Sequence, residues 1–438
     1  MMRMPDAIPT MPIQLARLGL LLALSAMPAA HAAQQPASSS SAPATTYQHN
    51  LLRELSLLKN DLARYEFLSE SLPRLSEADR LVAQQLLASA ENELGMYNEA
   101  IRDFPFDNRV RAKTELPQAA GWQAVDAVEA IAKLAADRRL VMVNEAHHDA
   151  HTRVLTLELL PRLRALGFNY FAVEALDAKD TALTQRGYPV LSSGSEYLHE
   201  PIYGELVREA IKLGFVIVPY ESDTMTTAGR EASQADNLYQ RVFMHDPKAR
   251  LLVHAGYAHI DKDIGSFGDS IQPMAMHLKQ LSGIDPLSID QTQLRDVGPM
   301  RGDTVYRSLI ASFQPKGPTV LLNRATGNAW SAQSSVYDIS VLLPPAGHHR
   351  RPAWLGLDGQ RRTHTISTDL CSGHFPCVVD AHYANESDQG IPADRCTLLD
   401  PDSTGVLYLR PGDYRLRSSS DDGRVLSTRT VHINEQKS

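Results

Sequence analysis

Four short apolar runs in this chain end in residues that can move protons or hold a metal. Leu140 to Val143 leads into Asn144-Glu145-Ala146-His147-His148-Asp149-Ala150-His151, Tyr170 to Val173 into Glu174, Phe215 to Pro219 into Tyr220-Glu221, and Arg250 to His254 into Ala255-Gly256-Tyr257-Ala258-His259. If the runs are neighbouring strands, their ends share one rim and the His and Glu side chains meet there. Two chemistries suit such a cluster. In the first, a carboxylate fixes an imidazole that takes a proton from water attacking an ester or amide. His148 is then the general base, Glu145 or Glu174 orients it, and His259 completes the site. In the second, Glu145, His147 and His259 hold a divalent transition metal that acidifies its bound water. The identity of any cofactor stays open, and a non-catalytic alternative has the same histidines binding metal or haem. The chain has no HExxH, no Gly-x-Ser-x-Gly, no P-loop and no glycine fingerprint after the first strand, which removes serine-hydrolase, nucleotide and dinucleotide readings.

Around these groups, His151, Tyr220, Glu221, Arg230 and His254 are candidates for contacts to a small-molecule or peptide substrate. Arg230, Gln234 and Asn237 recur at helical spacing, so Arg230 either grips a substrate carboxylate or oxyanion or sits on a solvated face. Tyr197, His199 and Glu200-Pro201 fall in a connection of about forty residues, longer than a minimal crossover, which makes a lid or pocket wall or a purely structural excursion. His245, His277, His348, His349 and His374 are isolated and read as surface residues.

The stretch Glu145-Ala146-His147-His148-Asp149-Ala150-His151 resembles the Glu-Ala-Thr-His-Gly-Thr-His motif of erythromycin esterases, and Glu174 resembles their next strand-end glutamate. The resemblance places Glu145 and His148 on that family's acidic residue and general-base histidine, and His151 on the histidine three further on. Gly256-Tyr257-Ala258-His259 is similar to the Gly-x-x-His signature of the Tiki and TraB branch of the same broad superfamily, where His147 would match the first-motif histidine. That branch includes metal-dependent proteases, and the ChaN-like haem-uptake proteins form another. The likeness spans Leu140 to Asp261, and it departs from the pattern at Asn144, Asp149, Ala150 and Gly256.

The elements that position these residues follow from periodicity. Between 121 and 335 helices and strands alternate: helices at Trp122 to Ala136, His151 to Leu166, Tyr203 to Leu213 and Glu231 to Met244 each precede one of the four strands, and further strands are expected at Leu287 to Asp290 and Thr319 to Asn323. This predicts an α/β domain, a parallel-sheet core with helices packed around it. Residues 49–120 have helical spacing, and Leu94 to Ile101 resembles a tetratricopeptide-like turn, so this region is expected to be a helical cap or a surface for homo-oligomer formation. From 336 to 438 a small β-rich domain is expected, with Val406 to Leu409 and Tyr414 to Arg417 paired as a hairpin. Its Cys371, Cys377 and Cys396 allow one disulfide and one spare thiol, by either Cys371–Cys377 or Cys377–Cys396.

Residues 1–32 have the layout of a secretory signal peptide, and 33–48 of a flexible linker, which predicts export to the periplasm or beyond. Net charge is −8 over 438 residues with no basic run, arguing against nucleic acid as a partner, and no apolar stretch reaches the length of a membrane span.

Overall fold

A computed structural model describes residues 46–106, 110, 115–224, 226–297, 304–347 and 349–435. The signal peptide, the linker up to residue 45 and His348 lie outside the described residues. The fold is mixed α/β, with a large, mainly parallel sheet flanked by helices and separate antiparallel sheets near the C-terminus.

Eight strands form the large sheet: β1 (Trp122–Asp126), β2 (Leu140–Glu145), β3 (Tyr170–Val173), β4 (Val216–Pro219), β5 (Leu251–Gly256), β6 (Leu287–Asp290), β7 (Thr319–Asn323) and β8 (Ile339–Leu342), in the order β1-β7-β8-β6-β2-β5-β3-β4. From β8 to β4 every pairing is parallel, while β7 runs against both of its neighbours. All six residues of β2 and of β5 are buried, because the central strands carry apolar side chains on both faces. Val141, Val143 and Leu252 join one core with the helices His151–Ala165 and Pro201–Lys212, and Met142, Leu251 and Val253 join the other with Thr227–Leu238 and Met274–Ser282. Adjacent β2, β5, β3 and β4 bring four of the expected strand ends side by side.

Three expectations are corrected. Trp122 to Asp126 is a strand, since it pairs residue for residue with Thr319–Asn323; the helix starts only at Ala127, where the Asp126 carboxylate accepts the Glu129 N–H at 3.0 Å. The α/β unit also extends past residue 335, because β8 lies between β7 and β6. Finally, Val406 to Leu409 and Tyr414 to Arg417 are strands but not a hairpin: β12 (Gly405–Leu409) pairs with β9 (Arg362–Ile366), and β13 (Gly412–Ser419) lies between β10 (Cys377–Tyr383) and β14 (Val425–Ile433), with β11 (Asp394–Leu398) beyond β10. Both strands alternate inward residues, Leu407 and Leu409 on one and Tyr414 and Leu416 on the other, and these face each other in one core across the two sheets. Cys371 and Cys377 form the disulfide, and Cys396 is a buried free thiol.

The helices of residues 46–103 pack onto the site end of the sheet rather than projecting from it. Gly95 makes the turn between Glu77–Glu93 and Tyr97–Asp103 at φ +73°, and a Cβ there would strike the Arg395 carbonyl at 2.6 Å. From the first of these helices the Asn92 amide donates to the His147 carbonyl at 3.0 Å and accepts the Ala150 N–H at 3.1 Å. The cap expectation thus acquires a specific partner, the loop after β2. No helix among the described residues is long and apolar enough to cross a membrane.

Candidate active site

Glu145, the last residue of β2, is a hub. Its Oε1 receives His147 Nδ1 at 2.7 Å, and its Oε2 receives Arg153 Nε at 2.5 Å and His254 Nε2 at 3.1 Å. Burial alone would raise this carboxyl, but the Arg153 guanidinium and the bonds from His147 and His254 hold it well below the usual carboxylate range. Arg153, fully buried in the first turn of its helix, also bonds Glu200 at 2.9 Å and the His147 carbonyl at 3.1 Å. Glu200 caps the Pro201–Lys212 helix by accepting the N–H groups of Ile202 and Tyr203. One ionised network therefore fixes Glu145, and Glu145 fixes His147.

His147 has its Nδ1–H committed to Glu145, which leaves Nε2 as the bare nitrogen. Its ring stacks on Tyr197 with centroids 4.2 Å apart. A Cβ on Gly256 would collide with Nε2 and stand 3.2 Å from Glu174 Oε2, so glycine at the end of β5 is what lets the imidazole and the second glutamate approach one another. The His147 side chain is 13% exposed, against 4% for that of His259 and none for that of His254, while His148 and His151 are buried residues.

That exposure pattern redirects the general-base reading. His148 turns away from Glu145 and Glu174: its Nε2 accepts from Arg295 at 3.0 Å, its Nδ1 meets the Tyr257 hydroxyl at 2.7 Å, and its ring stacks on Phe104. Both nitrogens are taken, so His148 has none for water. Tyr257 is held at φ +38°, a left-handed conformation unusual for a bulky residue, with its carbonyl bonded by Asn144. His151 stacks on Trp354, and burial depresses its basicity, which makes it a packing residue rather than a substrate contact. His254, bonded to Glu145 and Thr156, and Tyr220, donating to the His254 carbonyl at 3.2 Å, are likewise interior supports and not substrate contacts.

The second half of the site is an ion network on β3, β4 and the helix Thr227–Leu238. Glu174 accepts Arg230 Nη2 at 2.8 Å and the Gly256 N–H, and Arg230 also grips Glu221, which Gln234 supports at 3.0 Å. Arg230 and Gln234 are buried, which corrects the solvated-face alternative: carboxylates from two other strands cover that face. His259 lies behind Glu174, 3.4 Å from it through Nε2, with Nδ1 on Glu231. Burial opposes its charge, yet Glu231 and Glu174 push its pKa up to about 10. Arg230 Nη1 also lies 3.2 Å from Nε2, so both ring nitrogens of His259 are enclosed by charged partners and its part is to position Glu174.

This has a pH consequence. With its folded value raised from 6.5 to about 10, His259 contributes stability that is complete below 6.5 and lost as pH rises toward 10. Melting curves of wild type and His259→Gln are expected to converge across that window; a gap that stays constant would show that the proton is not held.

The residues do not fit a metal or haem. The proposed ligands Glu145, His147 and His259 fail to converge, since Arg153 and two imidazoles occupy Glu145, and His259 is enclosed by Glu174 and Glu231. The guanidinium of Arg230 already supplies positive charge at Glu174. Among the described residues, the three such side chains with donor atoms within 4.8 Å of one another are Asp61, Glu93 and His199, and there Asp61 is paired with Arg64 and Arg395.

Two spaces meet at His147 and Tyr197. One is a polar cleft of about 200 Å³, lined by Glu145, Glu174, Glu221 and Arg230. The other is a narrow apolar cavity of about 60 Å³ beneath the N-terminal helices, lined by Leu55, Leu68, Leu86, Phe104 and His148. Arg153, Glu231, Asn92 and Arg295 escaped the sequence reading, while Glu200 was singled out there only as part of a lid, pocket wall or structural excursion. Arg153 left a trace as a charge inside an otherwise apolar helical face.

No family model and no curated protein matches the chain. Among solved structures, one described as "Bacterial protein toxins" shares 14% identity over 49% of this chain and 46% of that chain, with a TM-score of 0.28. The chain thus spans about half the length of that structure. "The structure of the type III effector HopBA1" shares 14% identity over 44% of this chain and 94% of that chain, with a TM-score of 0.27. At these scores neither likeness bears on function.

Proposed function

We propose that the chain is an exported hydrolase of ester or amide bonds, of the erythromycin-esterase-like superfamily, with His147 as general base. The observation that carries this reading is the Glu145–His147 pair, whose Nδ1–H is fixed and whose ring lines the polar cleft beside Glu174. Water bonded to Nε2 loses its proton to the imidazole as its oxygen attacks the substrate carbonyl, and the same proton then passes to the leaving alcohol or amine. Glu145 holds the tautomer and balances the imidazolium that forms. Arg153 keeps Glu145 ionised, and Glu174, anchored by Arg230 and the Gly256 N–H, orients the water. Export rests on the residue pattern of the first 32 positions, and the family assignment on the motifs after β2, β3 and β5.

A panel of nitrophenyl esters and chromogenic peptide amides tests this, with the protein kept in a chelator. Turnover that persists in the chelator supports the reading. Failure on every member, or turnover only after a divalent metal is added, contradicts it.

A further inference from the structure

We propose that the substrates carry an uncharged apolar arm, a medium-length acyl or aryl group, which lies in the cavity beneath the N-terminal helices while the scissile carbonyl sits at His147. The inference rests on the hydrolase reading and deepens it by naming the substrate class. Its basis is the second space at the site. His147 and Tyr197 form a stacked wall that borders both the polar cleft and the apolar cavity, so a molecule held at the imidazole reaches both.

The cavity is built to take apolar matter. Leu55, Leu68, Leu86 and Ala90 come from three different helices, and Phe104 closes the end over His148. Its charged wall residues are Arg64, Glu93 and Glu196, and Glu196 lies 3.9 Å from the Arg64 guanidinium. Arg64 is bonded to Asp61 at 2.7 Å, and Glu93 is driven toward its neutral acid by burial and then by Asp61. The cavity wall is therefore mainly apolar, whereas the cleft on the other side of His147 is lined by the charged groups Glu174, Glu221 and Arg230. The roof is also fastened: Asn92 bonds the catalytic loop, while Arg395 and Thr397 of the C-terminal domain bond the carbonyls of Glu93 and Leu94 at 3.1 and 2.8 Å. The helices therefore form a fixed wall of the substrate site.

Hydrolysis of a nitrophenyl acyl ester by this arrangement balances as water plus ester giving acid plus nitrophenol, with no further reactant. Acetyl, butyryl and octanoyl esters should show kcat/KM rising at least about tenfold from the shortest to the longest, since each buried methylene favours binding. Filling the cavity with Ala90→Trp should bring the octanoyl-to-acetyl ratio close to one. Binding of the neutral fluorescent probe N-phenylnaphthylamine is read separately, on wild type, His147→Ala and Ala90→Trp, with circular dichroism melts for each. Saturable binding to the first two and its loss in the third is expected. If Ala90→Trp does not fold, Ser89→Phe on the same wall takes its place. Probe binding that survives the filled cavity, or a flat chain-length series in an active wild type, overturns the inference. Probe binding that follows the expected pattern in a protein without hydrolytic turnover would instead leave the cavity intact and defeat the hydrolase reading.

Discussion

Glu145→Gln is expected to slow hydrolysis by about 10²–10⁴-fold, because an amide cannot accept from His147, His254 and Arg153 together and the imidazole loses its enforced tautomer. Glutamine keeps the shape of the side chain, so the loss should fall on kcat with KM little changed. Part of the cost also appears as stability, since Arg153 retains only Glu200 as a charged partner. Rates across the ester panel together with a melting curve check this. A folded Glu145→Gln protein with near-normal kcat would remove Glu145 from the mechanism.

Arg153→Met is expected to destabilise the protein by about 3–5 kcal/mol, the range for deleting one partner of a buried ion pair. The guanidinium has no solvent exposure and joins Glu145, Glu200 and the His147 carbonyl, with the Tyr203 ring 4.8 Å away. Methionine fills similar volume but strands two buried carboxylates, one of them the cap of a helix. The exposed Arg162–Glu129 pair provides the contrast: Arg162→Met should change stability by less than about 1 kcal/mol. Urea titration of the three proteins measures both. Equal midpoints would mean that the network around Glu145 does not hold the site together.

The rim of ionisable strand ends was legible from residue order because each strand is a short, uninterrupted apolar run, and parallel strands place their C-terminal ends on one side. Which of two adjacent histidines faces the cleft was not legible. Ala146 and Asp149 pair across a tight turn, with the Asp149 N–H on the Ala146 carbonyl at 2.8 Å, and consecutive side chains there point in different directions. One imidazole meets Glu145 and the other Arg295, a residue about 150 positions away that no local pattern connects to it. Arg230 poses the same difficulty: spacing places it beside Gln234 on one helix face, but the carboxylates that bury it come from β3 and from the end of β4. The N-terminal helices were evident from periodicity, yet the polar bonds of Asn92 and the stacking of Phe104 on His148 that join them to the catalytic loop have no local pattern. The C-terminal hairpin was misread because alternation marks a strand without naming its partner.

Initial rates of His147→Ala and His148→Ala on the best ester of the panel, measured side by side on folded protein, address the central claim most directly. His147→Ala should fall by at least about a hundredfold and His148→Ala should keep most of its turnover. The reverse order, with His148→Ala inactive and His147→Ala active, would contradict it.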